Sequence, residues 1–294
     1  MDTITGRGLK PNNQTGQHRG KQQSRMNSSG ESRNGITIKS ERELKLMVEA
    51  GQIVARAKAR VAEAVQPGSE TRELDVIAER EIRQLGAIPS FKGYQASAVV
   101  PFPASICASI NEEIVHGIPG KRKLKDGDII SIDVGAIYEG FHGDSAFTMG
   151  VGDIDDTAER LIAVTRESLD LAIAKVRVGA RIGDISAAVQ AHAEHHGYQV
   201  VRQYVGHGIG RAMHEEPQVP NYGPAGRGPL LRKGMTIAIE PMLNIGDWET
   251  ARLDDGWTVV TKDRKLSAQW EHTLAVTADG YEVLTARQEE SDLY

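Results

Sequence analysis

The stretch "SIDVGAIYEGFHGDSA", residues 131–146, sets two aspartates inside otherwise apolar runs. "DIISIDVGAIY" and "GFHGDSAFTMG" both read as strands, with turn residues between them. A turn centred on Tyr138–Glu139 leaves Asp133 and Asp144 equidistant from it. They are then expected to face each other across an antiparallel pair, with Cβ atoms about 5 Å apart. Opposed carboxylates repel, and burying them costs more still. The arrangement makes sense if a cation lies between them or if they share a proton. The plainer alternative is two acids at exposed strand ends, where repulsion is mild.

Two more acids interrupt apolar runs: Glu240 in "MTIAIEPM" and Glu271 in "SAQWEHTLAVT". One such glutamate is often only salt-bridged, but an uncompensated charge there is expensive. "YVGHGIGRAMHEEP", residues 204–217, adds His207 framed by Gly206 and Gly208, with His214 seven positions on. Glycines let a backbone approach closely, so His207 is presented rather than packed; a lone histidine in a surface loop is the bland reading. Four acids in four strands with one framed imidazole point to a single oxygen-rich metal site. Four carboxylates balance two divalent ions, and carboxylate with imidazole suits Mn, Fe, Co or Zn. No His-Glu-x-x-His is present, and Arg211 stands where a dinucleotide loop needs its third glycine.

The chain has 294 residues, enough for one large domain or two small ones, and its 39% apolar content can build a core. A net charge of -5 gives no reason to expect nucleic acid, and no run approaches the length of a membrane span. Cys107 is the single cysteine, so an internal disulfide is impossible and a reducing, cytoplasmic setting is expected. No secretory signal is seen. Residues 1–35 are polar, with six Lys/Arg against two acids, and read as a disordered tail. An organelle transit peptide is a second reading of that tail, and Met26 is an alternative start. Residues 36–294 are expected to form the folded domain.

Ser40 with Glu43 forms a capping box ahead of a long helix that ends at Pro67-Gly68; a second helix covers about 71–85. "SAVVPF" and "SICASI" read as strands. Helices follow over about 156–176 and 182–195. The punctuation recurs at an offset of 111, Val65-x-x-Gly68 with Val176-x-x-Gly179 and Gly86 with Gly197. Helix–helix–strands given twice predicts an α+β fold of two similar halves meeting at a shared antiparallel sheet. "GKRKLKDGD", residues 120–128, is a basic loop, read as a solvated turn or as a patch that favours the ribosome surface.

Five motifs in order, "CASINEEIVHGIP", "SIDVGAIYEGFHGDSA", "YVGHGIGRAMHEEPQVPNY", "IAIEPM" and "QWEHT", make residues 36–287 resemble the type I methionine aminopeptidases. His207 and Glu240 lie 33 positions apart, without the long insertion of the type II enzymes. The resemblance implies the pita-bread fold and a two-metal site of Asp133, Asp144, His207, Glu240 and Glu271. It implies substrate contacts from His116 and His214, and a methionine pocket lined by Phe102, Cys107 and Trp257. It further implies removal of initiator methionine from nascent polypeptide N-termini when the second residue is small, by metal-activated hydroxide attack. In that scheme Glu240 moves the proton, His214 steadies the oxyanion and His116 contacts the leaving nitrogen. A monomer without membrane or specific nucleic-acid partners is expected. Two rivals share the fold: an Xaa-Pro peptidase, and a non-catalytic binding module, which typically loses the ligands kept here.

Overall fold

The computed structural model describes residues 35–95 and 100–286. Nearly all of the tail predicted to be disordered lies outside the described residues. Ser40 opens the fold's first helix. Its N–H donates to the Glu43 carboxylate at 2.9 Å and its hydroxyl caps the Glu43 N–H, closing the expected box. Helix α1 spans Glu41–Ala62, α2 Thr71–Gln84, α3 Asp156–Ile173 and α4 Ile182–His195. Helix α3 stops short of Val176 because the Val176 N–H turns to the Ile173 carbonyl at 2.9 Å, a tighter final turn.

The offset of 111 holds for whole elements. Helices α2 and α4 are both 14 residues long and start and end 111 positions apart. Their buried stripes correspond residue by residue, Leu74, Ala78 and Ile82 against Ile185, Val189 and Ala193. Gly86 and Gly197 both close their helices in the left-handed region, at φ 77° and 83°. The short strands Ile88–Pro89 and Gln199–Val200 follow in the same register.

In the first half, Ile129–Tyr138 is the central strand. Phe141–Gly150 pairs along one edge, and Ile106–Ile110 and Ile88–Pro89 along the other. In the second half, Gln199–Val200 and Ser267–Gln269 flank Met242–Asn244. A five-stranded sheet orders Tyr281–Val283, His272–Val276, Thr236–Ile239, Gly206–Gly208 and Glu215–Val219. Side chains join the halves. Thr148 Oγ1 donates to the Gln269 carbonyl at 2.7 Å and accepts from its N–H at 2.9 Å. Thr273 Oγ1 does the same with Asp144, at 2.7 and 3.1 Å. Asp144 and Glu271 therefore sit at the seam between the halves.

Two expectations are corrected. The hairpin turn falls on Glu139–Gly140, at φ 48° and 80°, not on Tyr138–Glu139. A two-residue hairpin loop favours positive φ at both central positions, which Gly140 adopts freely and Tyr138 would not. Asp133 consequently stands opposite Ala146, and Asp144 opposite Gly135. The register differs by two, so both acids keep one face of the sheet and become diagonal neighbours. "SICASI" forms the strand Ile106–Ile110, but Val100–Phe102 is not strand. Pro101 and Pro103 cannot donate to a ladder. Phe102 instead closes a loop, exchanging backbone bonds of 2.8 Å with Gly93 and Tyr94. The beginning of "SAVVPF", at 97–99, lies outside the described residues.

Candidate metal centre

His207 is placed by its glycines. A Cβ on Gly206 would lie 2.4 Å from the Ala238 carbonyl oxygen, and one on Gly208 would lie 2.2 Å from that of Glu216. Only glycine lets this short strand pass between its two neighbours, so the imidazole is the one side chain it presents. His207 Nδ1 lies 2.8 Å from the Gly208 carbonyl oxygen and donates to it. That fixes the tautomer and leaves the Nε2 lone pair facing Asp144 Oδ2 at 3.8 Å and Glu240 Oε1 at 3.6 Å. Burial, with His214 and His142 nearby, pushes the His207 pKa down to about 3, so the ring is neutral and able to ligate.

The carboxylates converge from two strand interiors and from two positions just outside strand ends. Asp133 and Asp144 come from the hairpin, Glu240 directly follows Thr236–Ile239, and Glu271 directly precedes His272–Val276. The Glu271 N–H donates to the Ala146 carbonyl at 2.9 Å, which draws that acid against the hairpin. Ligand atoms of Asp144, His207 and Glu271 lie within 4.8 Å of one another. Burial raises the Asp133 pKa to about 7, and lifts Asp144, Glu240 and Glu271 well above the carboxylate range. Asp133 Oδ1, Asp144 Oδ1 and Glu271 Oε1 are buried without a hydrogen-bond donor. Acceptor oxygens this densely packed and unmatched fit divalent cations, which satisfy several at once.

One cavity of about 380 Å³ is lined by all ten residues singled out from the sequence. Its apolar wall includes Phe102 and Trp257, whose rings meet edge-on at 5.2 Å, together with Cys107 and Met213. Trp257 is fixed by Nε1 donating to the Val100 carbonyl at 2.8 Å. Burial and the adjacent acids push the Cys107 thiol up, so it stays a neutral wall group. His116 holds a left-handed backbone at φ 61°, uncommon outside glycine and of the kind found at functional sites. Burial, then His214 and Arg252, lower its pKa to about 4.

Met213 escaped the sequence reading, and so did two polar contributors. Tyr94 lines the cavity, and its Oη lies 2.6 Å from His214 Nδ1. Lys58 of α1 is fully buried, and its Nζ donates to Ser145 Oγ at 2.6 Å. Its charge acts to lower the pKa values of Asp133 and Glu271. A signal for Lys58 existed. It lies on the buried stripe between Val54 and Val61, and its counterpart at the offset of 111 is the buried Leu169. Glu215 is structural: it pairs with Lys39 at 2.6 Å and ties residues 37–39 to the strand that follows His214.

Residues 45–278 match metallopeptidase family M24, and the chain belongs to that family. Its fold is the pita-bread fold of two related halves. Among curated proteins, methionine aminopeptidase 1 of Bacillus subtilis is 52% identical over 250 residues, covering 85% of this chain and 99% of the relative. Among solved structures, methionine aminopeptidase from Thermotoga maritima superposes with a TM-score of 0.83 at 45% identity, covering 86% of this chain and all of that one. A prolidase from Pyrococcus horikoshii shares the fold at a TM-score of 0.69 and 23% identity, covering 85% of this chain and 64% of its own.

Proposed function

We propose that the protein is a methionine aminopeptidase: a metal-dependent hydrolase that removes N-terminal methionine from nascent chains in the cytoplasm. The observation that carries this is one cavity with two chemically distinct walls. One wall holds Asp133, Asp144, His207, Glu240 and Glu271, and the other is apolar, built on Phe102, Cys107, Met213 and Trp257. The apolar wall suits one unbranched, polarizable side chain, and the acidic wall draws a free α-amine.

In this reading the five polar residues hold two divalent ions, Mn, Fe, Co or Zn. Such ions supply a Lewis acid and lower the pKa of water toward neutrality. The chain's own residues do the rest. Glu240 takes the proton of the attacking water and returns it as the peptide bond breaks. His214 donates from Nε2 to the developing oxyanion, because Tyr94 donates to its Nδ1 and leaves the proton on the other nitrogen. His116 contacts the departing amide nitrogen. In this reading, as the family likeness implies, substrates whose second residue is small are selected.

An Xaa-Pro peptidase is the reading to separate, since the prolidase likeness concerns the fold alone. The test is a panel of Met-Ala, Met-Gly, Met-Ser, Met-Lys, Met-Phe and Xaa-Pro peptides, each with and without chelator. Chelator-sensitive cleavage of the first three is expected, with Met-Lys and Met-Phe poor substrates. Preferred cleavage of Xaa-Pro peptides would overturn the proposal.

A further inference from the structure

A second group of metal-ligating side chains lies away from the cavity. His192 stands in the last turn of α4, and His196 caps its C-terminus. Their spacing of four puts both imidazoles on one helix face, with ring centroids 4.6 Å apart. Glu167 reaches across from α3, its Oε2 lying 3.0 Å from His192 Nε2. Ligand atoms of Glu167, His192 and His196 lie within 4.8 Å of one another. None of the three lines the catalytic cavity.

The internal repeat shows what is special here. At the offset of 111, Glu167 and His192 correspond to Arg56 and Glu81, which form an ordinary ion pair of 3.3 Å between α1 and α2. The contact is therefore a clamp between the two helices in each half. The second half builds it from a carboxylate and an imidazole, and adds a second imidazole where the first half has Leu85. A simple ion-pair clamp does not need His196. Neighbouring His195 does not join the group, although its ring lies 5.1 Å from that of His196. Arg160 Nη2 lies 3.5 Å from His196 Nδ1, on the side of the ring where it competes with a cation.

We propose that Glu167, His192 and His196 form a surface zinc site that clamps α3 to α4. Two imidazoles and one carboxylate are a familiar zinc donor set, and solvent completes the tetrahedron. The C-terminal dipole of α4 favours a cation at this end. The proposal is independent of how the catalytic cavity is read.

The test is equilibrium dialysis of the metal-stripped full-length protein against zinc, with metal counted per chain. His196→Ala, Glu167→Gln and His195→Ala are compared with wild type, and peptidase activity with saturating Mn serves as the check that each variant is folded. Wild type and His195→Ala should bind one zinc more than His196→Ala, with Glu167→Gln weakened. Zinc should also raise the wild-type melting temperature beyond the rise seen in His196→Ala. Equal zinc counts in wild type and His196→Ala would overturn the proposal, as would loss of the extra zinc in His195→Ala.

Discussion

Tyr94 Oη and His214 Nδ1 are 2.6 Å apart, with rings tilted at a centroid distance of 5.5 Å. Burial raises the tyrosine pKa and lowers that of the histidine, so both are neutral at working pH. A neutral phenol donating to Nδ1 leaves the His214 proton on Nε2, where the proposed oxyanion contact needs it. Tyr94→Phe should lower kcat about 5- to 10-fold, about 1 kcal/mol for one lost hydrogen bond, with KM and metal content little changed. A fall in metal content with kcat would instead mean that Tyr94 supports the ligand shell.

Lys58 is the buried cation behind the acids. It is expected to stabilise the metal-stripped protein, where its charge acts to lower the pKa values of Asp133 and Glu271. A flexible apolar side chain fits the position, since its counterpart Leu169 is also fully buried. Lys58→Met should therefore destabilise the stripped protein by about 3 kcal/mol and the metal-loaded protein by less. Melting with chelator and then with added Mn measures both. An equal loss in the two states would assign Lys58 to packing alone.

The acids also set a pH dependence. The Asp133 pKa is raised from 3.8 to about 7 in the folded chain. A raised pKa contributes stability that is complete below the unfolded value and is lost as pH rises through the folded one. Metal-stripped protein should thus lose stability between about pH 4 and 8 on this account. His207, pushed down to about 3, contributes with the opposite sign below about pH 6.5, where only its unfolded imidazole takes up a proton; above that it is neutral in both states and the acids alone set the slope. A bound cation replaces the protons, so the rise in melting temperature on adding Mn should grow from pH 6 to pH 8. A metal-induced shift that is flat or shrinking over this range would contradict the pairing of these acids with a cation.

Much of this was legible in the sequence because charges interrupted apolar runs. Asp133, Asp144, Glu240 and Glu271 are conspicuous since a buried apolar run tolerates acids only with compensation. The glycine frame of His207 and the offset of 111 were equally readable, the latter through glycines that end helices. Register was less so. The hairpin turn depends on the backbone freedom of Gly140, and centring it by symmetry of the acids moved the pairing by two. Tyr94 carried no local signal. It meets His214 beside the backbone bonds that Phe102 exchanges with Gly93 and Tyr94, which join positions distant enough to leave no local pattern. Lys58 hid in an amphipathic helix rich in lysine and arginine, where one more basic residue looks solvated until the stripe is counted.

In the proposed reading His207 and the four acids hold the ions while His214 acts on the substrate. The two imidazoles are neighbours, with ring centroids 4.3 Å apart, so position alone does not separate their roles. Metal titration by calorimetry, beside steady-state kinetics on a Met-Ala peptide, separates them in His207→Ala and His214→Ala. His207→Ala should lose metal and activity together. His214→Ala should bind metal as wild type does, with kcat lower by roughly 10²–10³ and KM little changed. Loss of metal in His214→Ala to the same extent as in His207→Ala would contradict this division and place His214 among the ligands.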